Sequence, residues 1–143
     1  MEIDYLLIIA QLLMTCGLSG LIGWEREKSK NLVKGTAGLR THMLVGLGST
    51  LLTFISVYGF QQYASADPGR IISYIVMGIG FLGAGTIMSQ KGKVFGLTTA
   101  ASIWFVAALG ISVGLGLYLI SLITTIFALI VLELWRLEKE ANI

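Results

Sequence analysis

Acidic side chains are few in this chain, and none lies in the middle of an apolar run: Glu2, Asp4, Glu25, Glu27, Asp67, Glu133, Glu138 and Glu140 fall at or beyond the ends of such runs. Proton relays and ion-coupled transporters place a carboxylate at mid-membrane, so the pattern argues against that chemistry. The single histidine, His42, has no Cys, His or acid at ligand spacing, and no HExxH, P-loop or Ser-His-Asp set is present. No resident metal, cofactor or catalytic residue is therefore expected, and the protein reads as a non-enzyme. The single cysteine, Cys16, cannot form an intrachain disulfide and reads as a small buried hydrophobe. A net charge of +2 gives no ground for nucleic acid as a partner.

What is abundant is apolar surface. Hydrophobic residues make up 55% of the 143 positions, charged ones 13%, and the mean hydropathy is +0.84. That composition belongs to an integral membrane protein. The N-terminus carries no basic residue ahead of the first apolar run, so that run is expected to persist as a span. Crossing a core of about 30 Å takes roughly 20 residues, with a lower limit near 17. Five segments meet this, at residues 5–24, 41–60, 71–88, 97–113 and 117–135. The expected fold is an all-α membrane protein, a compact bundle of about five transmembrane helices over residues 1–136 with a tail at 137–143.

Charge orients it. Arg26, Lys28, Lys30, Lys34 and Arg40 precede the second span, Lys91 and Lys93 lie between the third and fourth, and Arg136 and Lys139 follow the last. Arg70 alone falls opposite, so the positive-inside tendency puts the N-terminus outside and the C-terminus in the cytoplasm. Trp24, Tyr58, Phe60, Tyr63, Tyr118 and Trp135 sit near span ends, as interfacial anchors do.

Small residues supply the motifs. In lipid, close helix packing relies on Gly, Ala, Ser and Thr. Gly17, Gly20 and Gly23 drift around one face of the first span, and Gly110 and Gly114 form a small-xxx-small pair in the fourth. The third holds Gly78, Gly80, Gly83 and Gly85 before Thr86. Two readings stand: a helix central to a tight bundle, or a broken helix whose carbonyls line a cavity. Glu25 and Arg26 suit a boundary ion pair, Arg40 beside Thr41 calls for a carboxylate such as Glu25 or Glu27, and His42 for a hydrogen bond. Asp67 reads as the cap of the third helix with Pro68 at its first position, and Arg70 looks to Asp67 or Asp4. Thr98 is a candidate cap for the fourth helix, followed by Thr99, Ser102 and Trp104; Lys91 and Lys93 could hold an anion such as a lipid phosphate.

The segments GLIGWERE (20–27), AGLRTH (37–42), GIGFLGAGTIM (78–88) and GLTTAASIW (96–104), in this order, resemble the MgtC/SapB family of bacterial inner-membrane proteins over about residues 18–116. The resemblance implies about five spans, a link to adaptation to low magnesium and to virulence, and restraint of the membrane ATP synthase. Longer members carry a soluble C-terminal domain, and virulence-linked ones often have an amide where this chain has Lys93. Two functions follow as expectations. One is a regulatory membrane protein that self-associates and contacts a larger complex such as ATP synthase through its glycine faces. The other is a small oligomeric channel or transporter for Mg²⁺ or another solute, lined by carbonyls with Thr86, Thr98 or Thr99.

Overall fold

The computed structural model describes residues 4–29, 37–63, 65–90 and 92–140, with residue 90 and residues 135–140 described by their backbone alone. Five helices, α1 (Tyr5–Ser29), α2 (Leu39–Tyr58), α3 (Pro68–Ala84), α4 (Leu97–Gly114) and α5 (Tyr118–Glu140), are joined by loops and one hairpin, β1 (Met88–Gln90) and β2 (Lys93–Phe95). Helices α1, α2 and α4 are long and apolar enough to cross a bilayer, whereas α3 and the 118–134 stretch of α5 are apolar but shorter.

The helix ends follow from local chemistry. Asp4 Oδ1 accepts from the amides of Leu6 (3.0 Å) and Leu7 (3.1 Å), capping α1. Asp67 caps α3 by accepting from Gly69 N at 2.9 Å, with Pro68 in the first turn, as the turn chemistry predicts. Neither aspartate pairs with Arg70, which is exposed and makes no ion pair among the described residues. Thr98 is not the cap of α4. Gly96 holds that position at φ +88°, a left-handed conformation open to glycine, and a Cβ there would overlap the carbonyl oxygen of Thr86. Helix α4 ends in a Schellman arrangement, with Gly116 (φ +81°) and Leu117 donating to Val113 O and Ser112 O at 2.9 Å each. The apolar run from 97 to 135 is thus two helices.

The glycine-rich segment is unbroken. Helix α3 runs to Ala84, after which Gly85 N donates to Phe81 O (3.1 Å) and Thr86 N to Gly83 O (3.0 Å). This removes the broken-helix reading and its carbonyl-lined cavity. The helix found where a span was expected over 71–88 starts earlier and stops four residues sooner, because the chain turns at Gly85 and pairs as a hairpin. Met88 faces Phe95 and Gln90 faces Lys93 across a two-residue connection in which Gly92 has φ +77°. From the sequence, residues 89–96 read as a short basic loop.

Nor is α3 central. It packs mainly on α4 and α2, and only Ile79 and Gly83 are buried. The hub is α4, which packs against all four other helices and contributes the buried Ile103, Val106, Ala107, Leu109, Ile111 and Val113. Close approach is set by a few glycines. A Cβ at Gly110 would overlap Gly46 O and lie 2.9 Å from Ser49 Cβ; one at Gly114 would lie 2.8 Å from Thr53 Cβ; one at Gly23 would lie 2.8 Å from Leu39 Cα. These contacts bring α4 and α1 against α2, backbone on backbone.

Candidate functional site

The interior of the bundle is more polar than its surface. Helix α1 buries Gln11, Thr15 and Ser19 at four-residue spacing, ending at Gly23; α2 buries His42, Ser49, Thr50, Thr53 and Ser56; α4 buries Thr99 and Ser102. Meanwhile Leu6, Leu44, Met77, Phe81, Leu119 and Phe127 are exposed, Phe81 to 84%. An apolar exterior around a hydroxyl-rich seam suits a lipid solvent, where interhelical hydrogen bonds have no water to compete with them.

The seam is ordered by proton donors. Thr50 Oγ1 lies 2.9 Å from Gly110 O and 2.9 Å from Thr15 Oγ1. Its one proton goes to the carbonyl, so Thr15 donates to Thr50, and α1, α2 and α4 are tied at one level. Toward the start of α2, the ring of fully buried His42 meets Gly38 O through Nδ1 (2.7 Å) and Ser102 Oγ through Nε2 (2.9 Å). Toward the other end, Ser56 donates to Pro68 O at 2.5 Å, and Gln11 Nε2 donates to Tyr118 OH at 2.5 Å. Ser112 and Ser121 share a 2.7 Å bond across the α4–α5 corner. Tyr118, expected as an interfacial anchor, is thereby the polar link from α5 to α1.

Two buried seam atoms have no hydrogen-bond partner among the described residues, Gln11 Oε1 and Ser19 Oγ. Ser19 Oγ sits against Gly46, where an added Cβ would collide with it, so its neighbour is a Cα–H group, a weak donor common between helices. Turning the Gln11 amide over would exchange an orphan oxygen for an orphan nitrogen.

A charged cluster closes the α1–α2 end. Arg26 Nη1 and Glu25 Oε2 form a 3.5 Å ion pair, with the Glu25 side chain 7% exposed and that of Arg26 12%. Glu27 Oε2 accepts from Leu39 N at 3.0 Å and supplies the cap that Gly38 cannot. Lys28 Nζ lies 3.4 Å over the ring of Trp24. Arg40 is exposed and takes neither glutamate among the described residues, a correction explained by their engagement with Arg26 and Leu39.

The structure brings together only part of the residue set singled out from the sequence. Gly23, Gly110 and Gly114 make the tight contacts above; Gly20 meets Met43 and Leu39, and Gly83 meets Ala100, at ordinary van der Waals distance. Gly78 and Gly80 have nothing within 4 Å of an added Cβ and face outward, so they pack no neighbour in the chain. Gly85 lies in the turn, where Thr86 Oγ1 donates to Gly83 O (2.8 Å). Thr41 is half-buried, Thr99 buried, and Thr98, Trp104 and Lys93 exposed. Lys91 lies outside the described residues. Among the described residues, apolar grooves of about 520 Å³ between α2 and α3, with Gly48 and Gly78 in its lining, and of about 490 Å³ between α1, α4 and α5, beside Ser102 and Trp104, flank the bundle. Among the described residues no three His, Cys, Asp or Glu side chains gather as a metal site.

Most of the seam was not foreseen, although residues 11, 15, 19 and 23 repeat at helical spacing and mark one polar face in an otherwise apolar helix.

An apolar-surfaced, all-helical bundle with a hydroxyl seam is a membrane protein. Residues 12–140 match the model of the MgtC family, and the chain belongs to that family. It is 42% identical over 133 residues to YhiD of Escherichia coli K12, named a putative magnesium transporter, covering 90% of this chain and 60% of that protein. It is 42% identical over 119 residues to the protein MgtC of Brucella abortus, covering 83% of this chain and 47% of that one. It is 36% identical over 150 residues to the protein SrpB of Synechococcus elongatus, covering 96% of this chain and 80% of that one. The chain thus spans about half to three-fifths of the length of YhiD and MgtC. No solved structure matches it.

Proposed function

We propose that the protein crosses the bacterial inner membrane five times, N-terminus outside, and serves magnesium homeostasis as a non-enzymatic docking protein for a larger membrane complex. By family resemblance the ATP synthase is the first candidate for that complex. The observation that carries this reading is the exposed side of α3: Gly80 leaves open space beside exposed Met77 and Phe81, and Gly78 leaves it on the side that lines the groove against α2. Glycines that pack nothing in their own chain weaken a helix without return unless another backbone approaches them. Helix α3 is 17 residues long, at the lower limit for a span, and lies at the edge of the bundle, where a partner helix has access. The same face offers a site for self-association.

The test is a crosslinking scan in native membranes. A photoreactive side chain at position 77 or 81 is expected to capture a membrane subunit, and Gly80→Trp to abolish that capture while insertion continues. Equal capture by Gly80→Trp would overturn the reading. Transport is the second reading, favoured by the hydroxyl seam along the bundle and by the name of YhiD. Purified protein in liposomes is expected to give no Mg²⁺ uptake above empty vesicles; reproducible uptake would replace docking with transport.

A further inference from the structure

The geometry around the single histidine allows two charge states with the heavy atoms left in place. Gly38 O can only accept, so the 2.7 Å contact requires a proton on His42 Nδ1 in either state. The question is then what lies on Nε2. Ser102 Oγ carries one proton and has two acceptors in reach, His42 Nε2 at 2.9 Å and Thr99 O at 2.9 Å. When the ring is neutral, Ser102 donates to Nε2. When the ring is protonated, Nε2–H donates to Ser102, whose hydroxyl proton turns to Thr99 O. Both states keep every ring nitrogen hydrogen-bonded, and only a hydroxyl rotor moves.

We propose that His42 and Ser102, between α2 and α4, form a buried proton-binding site. A proton arrives from solvent, rests on Nε2 and returns to solvent, with no other bond made or broken. From α1, Gly23 abuts His42 Cβ, and the buried Glu25 follows two residues on, paired with Arg26; Glu27 is held by Leu39 N and Lys28 lies over Trp24. On α2 itself, Arg40 is exposed. Helix α4 carries no charged side chain from Leu97 to Gly114, only Thr and Ser hydroxyls that stay neutral, so the negative charge nearest in sequence to the α1 contact is Glu25. Ser102 also lines the apolar groove between α1, α4 and α5 together with Thr98 at the start of α4. This site is independent of the docking reading, since it lies inside the bundle and not on the outer face of α3.

The chain has one histidine, so ¹⁵N-histidine labelling reports on His42 alone. In lipid nanodiscs, the ring is expected to pass once between its two protonation states as the pH is lowered. Below the midpoint both nitrogens carry protons; above it Nδ1 keeps its proton and Nε2 is bare. Ser102→Ala, which cannot donate to the bare nitrogen, is expected to move the Nε2 resonance toward that of an unbonded imine nitrogen. A bare Nδ1, a ring that holds one protonation state throughout, or an Nε2 resonance unmoved in Ser102→Ala would overturn the proposal. The titration of the unmodified protein decides the first two even if the variant fails to fold.

Discussion

Replacing Gly110 by alanine is the sharpest perturbation of this bundle. The new Cβ would overlap Gly46 O and lie 2.9 Å from Ser49 Cβ and 3.1 Å from Gly46 C, where carbon atoms at rest keep about 3.5–4.0 Å. Helices α2 and α4 must separate, at an overpacking cost of about 1–3 kcal/mol. Separation also stretches the Thr50 bond to Gly110 O, worth about 0.6 kcal/mol on average for interhelical bonds in membranes and up to about 1.7. Alanine returns up to about 1 kcal/mol of helix propensity. The net loss is about 1–3 kcal/mol, or roughly a 5- to 150-fold fall in the folded-to-unfolded ratio. Gly78→Ala takes the same propensity gain with nothing within 4 Å of its Cβ, so it is expected to be neutral or stabilising. Reversible unfolding in mixed detergent micelles, followed by tryptophan fluorescence, measures both. If the two variants lie within about 0.5 kcal/mol of each other, the claim that backbone approach at Gly110 organises the bundle is refuted.

Thr50→Val keeps the shape but removes the donor to Gly110 O and the acceptor for Thr15, so a loss of about 1–2 kcal/mol is expected in the same unfolding assay. Gly96→Ala forces a side chain into a left-handed conformation and onto Thr86 O, and is expected to lower the thermal midpoint through the α3–α4 connection, by at least about 1 kcal/mol of stability. Asp67→Ala removes the cap of α3 at a cost near 1 kcal/mol, read as faster hydrogen exchange at Gly69 N. Gln11→Leu removes an orphan oxygen together with one hydrogen bond and is expected to be near neutral, whereas Tyr118→Phe leaves the whole Gln11 amide buried without a partner and costs about 1–3 kcal/mol.

The helices were legible because length and hydropathy are counted along the chain, and Asp67-Pro68 announced the start of α3 by its turn chemistry. Their arrangement was not. Glycine content tells where a backbone could approach but not whether one does: four glycines drew attention to α3, yet Gly78 and Gly80 face outward, while Gly46, left unremarked, sits at the crossing with Gly110. In a bilayer both faces of a helix are apolar enough that hydrophobic periodicity loses its sense of inside. Here the useful period was the polar one, in Gln11, Thr15 and Ser19, and its partners on α2 lie 35 residues away in the case of Thr15 and Thr50. The hairpin escaped notice because three-residue strands carry no pattern, although Gly92 and Gly96 both mark positive φ. Carboxylate assignments failed for a simpler reason. Asp4 and Glu27 each had a nearer backbone amide to satisfy than the arginine proposed for it.

The polar interior has a consequence for how this chain tolerates change. On its lipid face, Leu, Ile, Val and Phe do the same task and can replace one another at Leu44, Leu119, Ile126 or Phe127 with little effect. Inside, a methyl too many at Gly46 or a hydroxyl too few at Thr50 alters a backbone crossing. A saturation library selected for folding would therefore show the reverse of a water-soluble domain: permissive greasy positions around a strict column of Ser, Thr and Gly.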